Sequence, residues 1–247
     1  MSASLGRRAL AEAVGSAALV AVVVGSGIQA TGLTDDVGVQ LLANSLATVF
    51  GLGVLIALFG PVSGAHFNPV VTLAAWFAGR NTPDRLTLRD LAAYLPAQTA
   101  GAIGGAVLAD AMFAEPLVQW STHDRSAGHL WLGELVATAG LVLLVLGLAR
   151  TGRAQLAPVA VASYIGAAYW FTSSTSFANP AVTIGRAFTD TFAGIAPASV
   201  GPFVAAQVAG AVVGLGLVAA VFARPAPTPV TSVPAQDEPE RAAPVSL

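Results

Sequence analysis

Charged residues are so sparse along this chain that the gaps between them outline its elements. About twenty apolar residues cross the ~30 Å hydrocarbon core of a bilayer, so residues 13–34 predict a first span. From Val37 to Gly79 no Asp, Glu, Lys or Arg occurs. That block is too long for one crossing and fits a span, a short loop carrying His66, and a half-helix. Leu91 to Ala109 predicts a third span, followed by a polar loop with Glu115, Trp120, His123, Asp124 and Arg125. A fourth begins near Leu130. Its charge-free part, Leu135 to Ala149, is too short to cross alone, which places Glu134 within the membrane or at its edge, where a carboxyl needs partners. Ala154 to Gly185 fits a fifth span, a loop and a second half-helix, and Thr191 to Ala223 a sixth span. Residues 224–247 turn to Pro, Ala and polar residues that cannot bury a core, which predicts a disordered tail.

Both half-helices start on the same dipeptide, Asn68-Pro69 and Asn179-Pro180. Asn is a strong N-cap residue, and Pro fits the first helical position, where no donor is needed. A helix from Asn68 to Gly79 is roughly 18 Å long, about half the hydrocarbon thickness. In an apolar chain such a helix aims its positive dipole end at the bilayer centre, which is tolerable only where the backbone lines a cavity or is covered by protein. With each Asn oxygen used as the cap, the carboxamide nitrogen is left to face a passing solute's oxygen.

The two halves repeat. Ala11-Glu12-Ala13-Val14 matches Gly133-Glu134-Leu135-Val136, and Ala97-Gln98-Thr99-Ala100-Gly101-Ala102 matches Ala206-Gln207-Val208-Ala209-Gly210-Ala211. Repeat one covers about 5–112 and repeat two about 129–223. Three crossings per half make the second half enter from the opposite side, so the repeats are inverted and the two Asn caps meet head to head. Small residues at close spacing (Gly101, Gly104, Gly105; Gly210, Gly214, Gly216) suit tight helix packing. The class is therefore an all-α membrane protein with six transmembrane helices and two re-entrant half-helices. Arginine sets the orientation, since Lys is absent. Arg7, Arg8, Arg80, Arg85, Arg89, Arg150, Arg153, Arg224 and Arg241 fall on the N-terminal side, with only Arg125 and Arg186 opposite. Both termini are expected in the cytoplasm of a multi-pass cell-membrane protein.

Composition agrees: 55% hydrophobic and 10% charged residues, with mean hydropathy +0.73, describe a polytopic membrane chain. The net charge of -2 and the lack of a basic stripe exclude nucleic acid as a partner. With no cysteine, and with His66, His123 and His129 scattered, no metal site or cofactor is expected. Arg7-Arg8 before an apolar run has the outline of a signal peptide. Glu12 interrupts that run, and the same Glu pattern recurs mid-chain, so the run is read as the first span. Glu12 and Glu134 allow two readings, a proton relay or structural carboxylates accepting from the re-entrant backbone; the second fits their equivalent placement better.

The paired Asn-Pro stretches with their Ser-Gly-Ala-His-Phe lead-in resemble the aquaporin and aquaglyceroporin (major intrinsic protein) family over roughly residues 5–223. The resemblance implies a channel domain at 1–223, a homotetramer with one pore per subunit, and Asn68, Pro69, Val70, Asn179, Pro180 and Ala181 as the pore motifs, Val70 standing where Ala is usual. Water-selective and glycerol-type members carry an Arg after the second motif; here that residue is Val182. Ungapped spacing gives Thr48, Ala167 and Ser176 as the other filter positions, and aligning the Phe50-Gly51-Leu52-Gly53 run puts Phe50 in place of Thr48. Either way the constriction is expected to be wider and less cationic, suited to uncharged solutes bulkier than water. Arg186, one turn beyond Val182, either guards the mouth or pairs with Asp190. His66 is read as a structural loop residue or a pH sensor. Val182 and the stretch 188–197 look like the bacterial branch associated with arsenic-resistance gene clusters, whose solutes would be neutral metalloid hydroxides.

The functional expectation is passive diffusion of glycerol-like polyols or neutral metalloid hydroxides such as arsenite, with water. A water-selective channel is the alternative within the class. A secondary transporter shares the inverted repeats but has only the two glutamates to couple a gradient. An enzyme is not expected, since no nucleophile-base pair or metal cluster can be assembled.

Overall fold

In a computed structural model, residues 3–82 and 85–222 are described; the tail expected at 224–247 lies outside them. The helices are α1 (Leu5–Leu33), α2 (Val37–Ser63), α3 (Pro69–Gly79), α4 (Leu88–Met112), α5 (Gly128–Arg150), α6 (Ala157–Phe171), α7 (Pro180–Gly185) and α8 (Pro197–Val221). Among the described residues there is no strand. Five of these helices, α1, α2, α4, α5 and α8, are long and apolar enough to cross a membrane. The sixth crossing is shorter than expected: α6 has 15 residues, roughly 22 Å, lengthened at its start by a 3-10 turn over Ala154–Leu156. Helices α3 and α7 are the two half-helices, and α7 continues into a 3-10 turn at Arg186–Phe188.

Local chemistry sets the boundaries. The Asp36 carboxylate caps α2 at Val39 N (3.0 Å), and α2 stops at Gly64, whose φ of 92° few other residues adopt. At α4, Thr87 and Asp90 form a capping box, and Arg8 of α1 reaches the same Asp90 at 2.7 Å. That ion pair ties the starts of α1 and α4 to one face of the bundle. At the close of the second half, Arg150 of α5 donates to the carbonyls of Val218 and Phe222 at the end of α8.

Glycine lets the long helices touch backbone to backbone. A Cβ on Gly101 or Gly105 would lie 2.1 Å from the carbonyl oxygen of Ala13 or Ala17, so α4 presses onto α1 only because no side chain intervenes. Gly210 and Gly214 of α8 meet the carbonyls of Leu135 and Ala139 of α5 in the same way. Gly104 and Gly216, expected to serve this packing too, face open space. Gly105→Leu should therefore prevent assembly, read as loss of the monodisperse peak in detergent size-exclusion chromatography, while Gly104→Leu should preserve it.

Candidate functional site

The half-helices begin where the repeat pattern places them, and their caps are already engaged. Asn68 Oδ1 accepts from Val70 N (3.1 Å), and Asn179 Oδ1 from Ala181 N (3.0 Å) and Val182 N (3.3 Å). One carboxamide N–H of each Asn is not free for solute. Asn68 Nδ2 donates to Ala178 O, and Asn179 Nδ2 to Phe67 O, both at 2.8 Å. Each cap is thus stitched to the loop of the other repeat. Since an amide nitrogen has two hydrogens, one per Asn remains, and both residues lie on the wall of the cavity described below.

The loops leading into the caps hold Ala65, Phe67, Thr175, Ser176 and Ala178 at φ between 48° and 59°, a region that side chains other than Gly seldom occupy. Two fully buried carboxylates keep them there. Glu12 accepts from Ser63 Oγ (2.6 Å), His66 N (3.0 Å), Phe67 N (2.7 Å) and Gln98 Nε2 (2.8 Å). Glu134 accepts from Phe177 N (2.8 Å), Ala178 N (2.8 Å) and Gln207 Nε2 (2.7 Å). The same glutamines bind Thr72 and Thr183 in the first turns of α3 and α7. Each carboxylate thereby ties a re-entrant loop to another long helix of its own repeat.

A cavity of about 110 Å³ runs between the halves. Its walls come from residues four apart on each helix: Leu19 and Val23 of α1, Thr48, Leu52 and Ile56 of α2, Leu141 and Val145 of α5, and Ala157, Val161, Ile165 and Tyr169 of α6. The loops add His66, Phe67, Asn68, Ser176 and Asn179, with Val182 and Arg186 at one end. The lining is mainly apolar, with polar groups confined to the loops and the Arg186 end.

Two expected filter residues are not on this wall. Phe50 belongs to the stripe Leu42, Leu46, Phe50, Val54, Leu58 that faces outward, and it is 69% exposed. Thr48, two residues earlier and so roughly 200° around the helix, is 2% exposed and faces the cavity. Ala167 is corrected for the same reason: it lies on the exposed side of α6, and Tyr169 takes its place. Sequence reasoning missed Tyr169, although the spacing 157, 161, 165, 169 carries it. The Tyr169 and Thr48 hydroxyls are 3.2 Å apart across the lumen wall. The Ser176 hydroxyl has no hydrogen-bond partner among the described residues, and Val182 lines the wall beside it.

The remaining candidates are placed as follows. Val70 is buried with Ala74, Val142, Leu146, Ala211 and Val218, away from the lumen, so its extra bulk meets α5 and α8. Arg186 does not pair with Asp190. Its Nε donates to Ala193 O, its guanidinium lies 3.4 Å from the centre of the Phe177 ring, and Asp190 is held by the Thr122 backbone and hydroxyl. The Thr122 backbone N–H is the main reason the Asp190 carboxyl is held below its ordinary pKa. His66 Nδ1 lies 3.0 Å from Thr72 Oγ1, which donates to Asn68 O and accepts from Gln98. With the Thr72 hydrogen so assigned, Nδ1 carries the proton and Nε2 is left as an acceptor.

Comparisons with known proteins agree with this arrangement. A family model described as major intrinsic protein matches residues 1–176. Aquaglyceroporin AqpS of Rhizobium meliloti (strain 1021) is 51% identical over 213 residues, which cover 86% of this chain and 89% of that protein. A glycerol uptake facilitator protein of Pseudomonas aeruginosa is 30% identical over 281 residues, covering 96% of each. The X-ray structure of the aquaglyceroporin from Plasmodium falciparum matches with a TM-score of 0.62 at 22% identity, covering 87% of this chain and 96% of that one, and so shares its fold. Inverted repeats, capped half-helices meeting at a lined cavity and these relatives lead to one conclusion: the chain belongs to the major intrinsic protein family.

Proposed function

We propose that the cavity is the pore of a passive, bidirectional channel for small uncharged solutes, glycerol-like polyols first among them, with water passing as well. The observation that carries this is the pair of Asn-capped helix starts that face one another on the wall of a single, mostly apolar cavity. Each helix N-terminus contributes roughly +0.5 charge there, which opposes cations, while the free amide hydrogens of Asn68 and Asn179 and the His66 Nε2 offer hydrogen bonds to hydroxyls. The names of the Rhizobium and Pseudomonas relatives favour glycerol. Neutral trivalent metalloid hydroxides such as arsenite present a similar array of hydroxyls and are the second solute class.

Thr48, Tyr169, Ser176 and Val182 set the bore in this reading, and Glu12 and Glu134 support the loops instead of serving as a proton relay. The exposed apolar faces of the long helices suit lipid and the packing of a homotetramer, and the arginine asymmetry supports a reading with both termini in the cytoplasm of a cell-membrane protein. Stopped-flow permeabilities of proteoliposomes to water, glycerol and arsenite test the assignment. Glycerol flux well above that of empty liposomes is expected. Swelling by water alone would indicate a water-selective channel, and uptake abolished by an uncoupler a transporter. Tyr169→Ala should raise glycerol flux a few-fold by removing the ring from the wall, whereas Phe50→Ala should leave it within the error of the measurement.

A further inference from the structure

Two arginines at the Val182 end of the pore form no ion pair among the described residues, and one carboxylate, Glu134, lies close enough for its charge to act on both. The Nε of Arg186 donates to Ala193 O and the Nε of Arg125 to the next carbonyl, Gly194 O, and both guanidinium carbons lie within 5.0 Å of the Phe177 ring centre. Anchored through Nε, the two groups keep their Nη atoms without a hydrogen-bond partner among the described residues. The acids nearby are engaged elsewhere. Glu134 accepts from Phe177 N, Ala178 N and Gln207, Asp190 from Thr122, Asp124 from Ser126 and Ser199, and Asp110 from Thr189. Among the described residues the sole arginine-carboxylate pair is Arg8 with Asp90, on the opposite face.

Arg125 and Arg186 line one vestibule of about 280 Å³, together with His123, Thr175 and Asn44. Arg186 is only 4% exposed, so its charge is largely removed from bulk water. One carboxylate, Glu134, faces two guanidinium groups that repel each other, so the cluster keeps an excess positive charge in a largely desolvated place; a ligand carrying a negative charge relieves that excess. Planar, forked donors favour oxyanions over a spherical halide. We propose that this vestibule binds a small oxyanion, a phosphate, sulfate or carboxylate group, between Arg125 and Arg186. Because Arg186 also lines the pore, the bound anion stands at its mouth and slows the passage of neutral solute.

The binding claim is independent of the channel reading; the effect on flux rests on it. The purified chain is heated in inorganic phosphate and in chloride at equal ionic strength, and glycerol flux into proteoliposomes is followed with phosphate titrated on both sides. Phosphate is expected to raise the melting temperature above its chloride value and to slow glycerol flux saturably. Arg125→Gln, at a position partly open to solvent, should weaken both apparent affinities about tenfold through loss of charge-assisted hydrogen bonds. A phosphate stabilisation undiminished in Arg125→Gln would be general salting-out and would overturn the site, as would no phosphate effect on the native chain. Flux measured without phosphate separates the two readings: its absence there refutes the channel, not the anion site.

Discussion

Val182→Arg is expected to lower glycerol permeability at least about tenfold, a barrier increase of about 1.4 kcal/mol, while water flux persists. Val182 faces the cavity in company with Thr48, Tyr169 and Ser176, and the space there is bounded by backbone held in place through the Asn179 cap and Glu134. A guanidinium on the 182 side chain would enter the lumen, since the first turn of α7 is fixed, and so narrow the bore. It would also add a positive charge one turn from Arg186, which raises the barrier to protons and cations. Stopped-flow light scattering on native and variant proteoliposomes checks the result. Equal glycerol fluxes would show that position 182 does not set the bore, and that the wide-pore reading is wrong.

Glu134→Gln should damage the protein itself more than its selectivity. The carboxylate accepts three N–H donors, and a Gln in the same place turns an amide N–H₂ toward one of them. Each buried donor left unpaired costs about 1–3 kcal/mol. Those bonds hold the peptide after Ser176 and the N–H of Ala178, both residues in the left-handed region, which is unfavourable by of order 1–3 kcal/mol per residue. The melting temperature in detergent should fall by on the order of 5–10 °C, with glycerol flux lost in proportion to folded protein. A proton relay would behave differently: the variant would fold normally and alter only the pH dependence of transport. Glu12→Gln should repeat the result in the first half, since Glu12 holds His66 N and Phe67 N in the same manner.

Much of the architecture was legible because its determinants are local. Asn68-Pro69 and Asn179-Pro180 announce helix starts from their own chemistry, and the structure puts α3 and α7 where they say. Glu12 and Glu134 are legible as matched positions across the repeats, while relay and loop support both fit the sequence until the backbone N–H groups they accept from are located. The filter was less legible. Counting back from the second motif gave Ala167, but the loop between α6 and α7 follows its own path, and α6 turns Tyr169 inward instead. On α6 apolar residues lie on nearly every side, so polarity does not tell the lumen face from the lipid face, whereas on α2 the stripe Gln40, Asn44, Thr48 marks the inward side. The choice between Thr48 and Phe50 rests on matched runs of sequence and leaves that stripe unused. The contacts of the Asn side chains with the opposite loop, and the gathering of Arg125 and Arg186 around Phe177, join residues far apart in the chain and left no periodic trace.

By itself the sequence determined that this chain spans a membrane in two inverted halves, each with a half-helix capped by Asn and a buried glutamate beneath it. Those features follow from hydrophobic length, backbone capping and internal repetition, which need no knowledge of neighbours. Only the tertiary structure decided which side chains line the passage. On a helix a shift of two residues turns a side chain roughly 200°, so a small difference in loop path exchanges lumen for lipid, as Tyr169 and Ala167 demonstrate.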